Sequence, residues 1–134
     1  PRRPHPPFNE AALRLREAAV EVIRAWDRNL GPVVVAASGG VDSSFICGAL
    51  RCAGASFSCV TAATADPSGD ERPAVRLLAG HLEVPLAEGV YDPALFDPCE
   101  CASAGLPRPS RKSFLNAVDR IFAEAADDLG AAVV

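Results

Sequence analysis

A chain of 134 residues, 49% of them apolar, has room for one small domain and can bury a real core. Its net charge of −4 argues against a nucleic-acid surface, which carries a basic footprint, and no apolar run approaches the roughly 18 residues of a membrane span. Five cysteines, an odd number in a sequence that does not open on a signal peptide, read as reduced, mostly buried thiols of a cytoplasmic protein. The chain opens on Pro1 rather than methionine, as a processed product or a piece of a longer protein would.

Residues 1–8 form a proline-rich tail or linker, and His5 carries no signal. The first helix opens at Phe8-Asn9. Asn9 suits an N-cap, and Phe8 with Leu13 has the spacing of a hydrophobic staple. Leu15, Ala19, Val22, Ile23, Trp26 and Leu30 make an apolar stripe at helical spacing, which predicts that Trp26 packs in the core rather than stacking on a ligand. Gly31 stops the helix.

Val33-Val34-Val35-Ala36-Ala37 is a continuous apolar run, as expected of a strand buried on both faces of a parallel sheet. Ser38-Gly39-Gly40-Val41-Asp42-Ser43-Ser44 then leads into a helix that runs to about Gly54. Gly39 and Gly40 permit positive φ and close backbone approach, and the helix points free N–H groups and its positive dipole end at the turn. With the hydroxyls of Ser38, Ser43 and Ser44, this makes an anion cradle suited to phosphate. The alternative is a Ser/Gly-rich turn that merely precedes a helix. Neither G-x-x-x-x-G-K-[ST] nor G-x-G-x-x-G matches, and the chain's one lysine is Lys112. Asp42 stands in the cradle instead. A carboxylate beside phosphates repels them unless a cation lies between, so Asp42 implies Mg²⁺.

A second strand spans about Ser56 to Ala63, followed by the loop Thr64–Gly69. Ser68 and Glu71 have capping-box spacing, Pro73 falls in the next helix's first turn, and Val75, Leu78, Ala79 and Leu82 are its core face. His81 ends that helix, where an imidazolium suits the dipole. A third strand covers about Val84 to Val90, and Tyr91–Ser110 is a long irregular loop of the kind that often carries function. A last helix runs from about Arg111 to Leu129, Gly130 stops it, and Ala131–Val134 begins a fourth strand. Alternating strands and helices predict an α/β fold, a parallel sheet with helices on both faces. Ligands of such sheets bind beyond the carboxyl ends of the strands, so backbone near Cys59 and Val60 is expected to line an adenine pocket.

Ser38-Gly39-Gly40-x-Asp42-Ser43 resembles the pyrophosphate loop of the N-type ATP pyrophosphatases. These are the PP-loop enzymes, which include asparagine, GMP and NAD synthetases and tRNA-modifying enzymes. Over about Asn9 to Val134 the chain is similar to the synthetase domain of the asparagine synthetase family. An Arg/Glu-rich helix precedes the loop strand, Asp70-Glu71 opens the helix after strand two, and Gly130-Ala131-Ala132-Val133-Val134 fits a later strand. The resemblance implies an adenine-nucleotide α-hydrolase-like fold, with residues 9–134 as the N-terminal part of the domain. The family's second glycine-rich acidic loop, its later lysine and glutamate and its glutaminase domain have no counterpart here, so the fold is expected to be incomplete at its C-terminal side.

What the resemblance implies is ATP-dependent amide formation: ATP adenylates a carboxylate, pyrophosphate leaves, and an amine attacks the acyl-adenylate. Ser38, Gly39, Gly40, Ser43 and Ser44 would hold pyrophosphate oxygens and Asp42 would hold Mg²⁺. The partners are ATP, a carboxylate, an amine, and a missing segment or second chain. Pro107-Arg108-Pro109-Ser110 is similar to the branch that closes lactams, such as lasso-peptide cyclases. The rival readings are a non-catalytic adenine-nucleotide module and a tRNA-modifying enzyme. Cys99-Glu100-Cys101 lacks zinc-site spacing and reads as a disulfide or free thiols; no Ser/His/Asp nucleophile can be assembled.

Overall fold

The computed structural model describes residues 6–95, 107 and 116–133. Helix α1 (Phe8–Leu30) starts directly behind Pro7, whose carbonyl accepts from Ala11 N–H at 3.0 Å. Proline's fixed φ is already suited to a helix start, so the helix begins one residue ahead of Asn9, with no side-chain cap. The expected staple does not form either: Phe8 and Leu13 are both exposed. Gly31 ends the helix with φ +70°.

Four parallel strands follow: β1 (Val33–Ala36), β2 (Phe57–Ala63), β3 (Leu86–Val90) and β4 (Ala132–Val133), in the order β3-β2-β1-β4. Between them lie α2 (Val41–Ala53), α3 (Arg72–Leu82) and α4 (Asn116–Leu129). The period of two along β1 divides its valines. Val33 and Val35, with Phe57 and Cys59 of β2, meet Ile23, Cys47, Leu50 and Val75 from α1, α2 and α3. Val34 and Val60 meet Ala125 and Ala126 of α4 on the opposite face. Helices on both faces explain why β1 reads as an unbroken apolar run. On that second face Gly89 of β3 leaves room for Ile121, whose side-chain atoms come within 2.5–2.8 Å of where a Cβ would stand.

The chain leaves β1 toward β2 and β3, then returns to β4 on the other side of β1. The sheet therefore reverses direction at β1. In open parallel sheets this switch point is where a crevice opens at the carboxyl ends of the strands.

Two further local expectations fail for identifiable reasons. The Ser68–Glu71 capping box is displaced by tighter turns: Asp66 accepts from Ser68 N–H at 2.9 Å around a 3₁₀ turn at Pro67–Gly69, and Asp70 accepts from Arg72 N–H at 3.0 Å. The third strand starts at Leu86 rather than Val84, because Val84 N–H closes α3 by donating to Ala79 O at 3.1 Å. Arg111–Leu115 of the expected last helix lie outside the described residues, as do Cys99 and Cys101. Among the described residues no helix is long and apolar enough to cross a membrane.

Candidate phosphate-binding site

The strand–turn–helix reading of Val33 to Gly54 holds. Ala37 N–H extends the sheet by donating to Val60 O at 2.9 Å, and Ser38-Gly39-Gly40 then turns the chain into α2. Gly39 makes the turn at φ +71°, in the left-handed region that favours glycine. Gly40 takes the N-cap place in extended conformation, with no side chain bonded to the helix N–H groups. The amides of Val41, Asp42 and Ser43 therefore have no carbonyl one turn behind them, and they open toward the loop. Ser44 N–H is the first to be satisfied, by Gly40 O at 3.1 Å.

Two serines hold the turn together. The Ser38 and Ser43 hydroxyls lie 3.3 Å apart, Ser38 N–H donates to Ser43 Oγ at 3.3 Å, and Gly40 N–H donates to Ser38 Oγ at 3.3 Å. The Ser43 hydroxyl in turn donates to Gly40 O at 3.3 Å. These contacts are long for hydroxyl hydrogen bonds, which leaves both side chains free to turn toward an anion. Asp42 is exposed in the first turn of α2, where a negative charge suits the helix dipole, and it forms no salt bridge among the described residues.

Cys59 and Val60 do not join this group. Val60 pairs in register with Ala36, one layer below the loop, and Cys59 and Val60 are both fully buried. Cys59 N–H is bonded to Pro85 O at 2.8 Å and Val60 O to Ala37 N–H, so both residues already use backbone groups in the sheet. The Cys59 thiol faces Cys47 of α2, 3.8 Å away, and the hydrogen bond between them together with burial pushes the Cys47 thiol up. The strand residues level with the loop are Ala62 and Ala63 instead.

Two neighbours of the loop were not visible in the sequence. The first turn of α3 lies against Gly39, and Asp70 locks that turn. Its carboxylate takes Arg72 Nε and a terminal guanidinium nitrogen, both at 2.8 Å, besides the Arg72 N–H. The guanidinium bonds, then the backbone bond, hold the Asp70 carboxyl down to about 2. The other neighbour is an apolar cavity of about 280 Å³ between α1 and the β1–α2 unit, with Ser43 in its wall and Trp26, Leu30, Val35 and Ile46 around it. Trp26 is thus not the core residue that its helical spacing predicts. It is 54% exposed, and Leu15, Val22 and Leu30 of the same stripe are exposed too; only Ile23 is buried.

The NH3-dependent NAD synthetase of Campylobacter jejuni subsp. jejuni NCTC 11168, solved in complex with a nitrate ion, has a similar fold. Its TM-score is 0.62 at 16% sequence identity, covering 90% of this chain and 54% of that one. An NAD+ synthetase from Burkholderia pseudomallei covers 88% of this chain and 59% of its own at 17% identity, with a TM-score of 0.42. The chain thus spans little more than half the length of these solved structures. No curated protein matches it. Residues 14–101, more than half of the chain, match the asparagine synthase family model, and the chain therefore belongs to the asparagine synthase family.

Proposed function

We propose that this chain is the nucleotide-binding part of an enzyme that activates a carboxylate with ATP and joins it to an amine. The observation that carries the reading is the loop itself. At the sheet's switch point three first-turn amides of α2 have no partner among the described residues, two serine hydroxyls stand 3.3 Å apart, and Gly39 turns the chain in the left-handed region. In the reaction a substrate carboxylate oxygen attacks the α-phosphorus of ATP and pyrophosphate leaves; the amine nitrogen then attacks the acyl carbon and AMP leaves. The work of Ser38, Gly39, Gly40, Ser43, Ser44 and the first amides of α2 is to bind and orient the pyrophosphate end and stabilise the charge that develops on it.

The donor set fits magnesium in one respect. Asp42 supplies one free, exposed carboxylate, and no cluster of three metal-ligating side chains exists among the described residues. That matches an ion held by one carboxylate, water and phosphate oxygens rather than by a protein cage. When bound, Mg²⁺ would neutralise phosphate charge beside Asp42. Adenine is placed over the end of β2, where Ala62 and Ala63 are level with the loop, in preference to Cys59 and Val60.

Amide formation in this reading needs further polypeptide, because the chain spans 54% of the NAD synthetase fold and no residue of the described part is assigned to the chemical step. Lactam closure is the finer form of the proposal. It rests on Pro107-Arg108-Pro109-Ser110, of which only Pro107 is among the described residues. The same coverage favours a second reading, a non-catalytic adenine-nucleotide module. Calorimetric titration with Mg²⁺·ATP and Mg²⁺·pyrophosphate tests the site, and absence of binding of either at millimolar ligand defeats both readings. Pyrophosphate release from ATP in the presence of carboxylate and amine separates them, because a module releases none.

A further inference from the structure

We propose that the first turn of α3, through Ala74, is a positioning platform for the phosphate loop, so that side-chain size at residue 74 sets how the loop presents its amides. The inference deepens the reading of Ser38–Ser44 as a pyrophosphate site and rests on it for its functional consequence. The loop is marked in the sequence by its glycines and serines; nothing there marks residue 74.

The contact is close. A Cβ on Gly39 would stand 2.5 Å from Ala74 Cβ, 3.3 Å from Ala74 C and 3.4 Å from Val75 N. The loop backbone therefore lies directly on the helix. The fit is reciprocal: Gly39 lacks a side chain, and Ala74 extends no further than a methyl.

The helix is the fixed partner of the two. Val75, the next residue, is fully buried against the core beneath β1 and β2. Asp70 holds the Arg72 amide at 3.0 Å and its guanidinium twice at 2.8 Å. Arg76 ties the same helix to β3 through two bonds to Glu88, at 2.7 and 2.8 Å. The loop, by contrast, is held by contacts of 3.3 Å, at which hydroxyl bonds are already stretched. A larger group at 74 meets an anchored helix on one side and a loosely tied loop on the other, so the loop gives way. Ala74 is exposed, and leucine is a good helix former, so the change leaves the core and the helix intact.

The test is Ala74→Leu, with Ala74→Gly as the relieving control, in the 134-residue chain. The measurements are amide hydrogen exchange at Ser38 and Gly40, the thermal midpoint, and calorimetric affinity for Mg²⁺·pyrophosphate. Leucine should speed exchange at both amides and weaken pyrophosphate about tenfold with the thermal midpoint lowered only modestly and the transition kept, while glycine leaves loop exchange as in the parent. Unchanged exchange and unchanged affinity in the leucine variant overturn the platform. If the parent itself binds no pyrophosphate, the site reading fails and hydrogen exchange alone decides the platform. Should the leucine variant lose its thermal transition, Ala74→Val carries the same comparison.

Discussion

Asp42→Asn should act with opposite sign in the presence and absence of magnesium. The residue is exposed in the first turn of α2 and makes no salt bridge among the described residues. Its folded-state stabilisation is limited to the helix dipole, about 0.3–1 kcal/mol, so the near-isosteric amide should shift stability by no more than that. Its effect on a ligand is larger. A phosphate on the free amides of that turn lies roughly 5 Å from the carboxylate, and at an exposed position each unit of charge is opposed by about 1 kcal/mol. Pyrophosphate carries more than one such charge, so in chelator asparagine should bind it about fivefold more tightly than the parent at the least. With magnesium the carboxylate becomes a ligand, and its loss should weaken binding by about tenfold or more. Calorimetric titration of both proteins with pyrophosphate, in EDTA and in magnesium, reads the two signs directly. A change of the same sign in both buffers would refute the placement of Asp42 between loop and metal.

Gly39→Ala should lower unfolding free energy in urea by about 2–4 kcal/mol, from the left-handed φ of +71° and the lost clearance to Ala74. Adding Ala74→Gly should return only the steric share, and strict additivity of the two changes would show that the contact is not tight. Asp70 has a depressed folded pKa of about 2 against 3.8, so its stabilisation is present above pH 3.8 and lost as pH falls toward 2. The urea midpoints of parent and Asp70→Asn should thus differ near neutrality and converge as pH falls through that window; a gap that persists at the acid end counts against the clamp. Trp26 is the chain's one tryptophan and 54% exposed, so its emission should be red-shifted and readily quenched by acrylamide. Blue emission shielded from quencher would mean that the α1 face is covered in solution.

What the sequence disclosed was local. Val33–Ala37 reads as a buried strand because both of its faces are packed, and the Ser38–Ser44 loop is legible because each residue type there has a backbone or donor role within its own turn. Cys59 and Val60 show the limit of such reading. Their strand is recognisable, but which residue stands level with the loop depends on the Ala36–Val60 register, set across two strands and a helix. The Asp70 clamp was hidden for another reason. Ser68 and Glu71 have capping-box spacing, yet Asp66 and Asp70 sit two residues before the amides they cap, and Pro67 favours the tighter turn.

Helix α1 raises a question that periodicity cannot answer. Spacing of apolar residues at helical intervals says that one face avoids water; it does not say what covers that face. Here Ile23 meets the core while Leu15, Val22, Trp26 and Leu30 do not, although a 23-residue helix gives ample length to pack. Among the described residues nothing covers these side chains, and β4 pairs there with β1 alone. The exposed stripe and the phosphate site are connected. The cavity beneath Trp26 and Leu30 reaches the wall that Ser43 shares with the loop. A group that filled the cavity would therefore also restrict the serine that holds Gly40 and Ser38. Filling the cavity and fixing the loop hydroxyls would then be one event, so an apolar ligand of the cavity should raise the affinity for pyrophosphate, and an affinity that stays the same when the cavity is filled would separate the two sites.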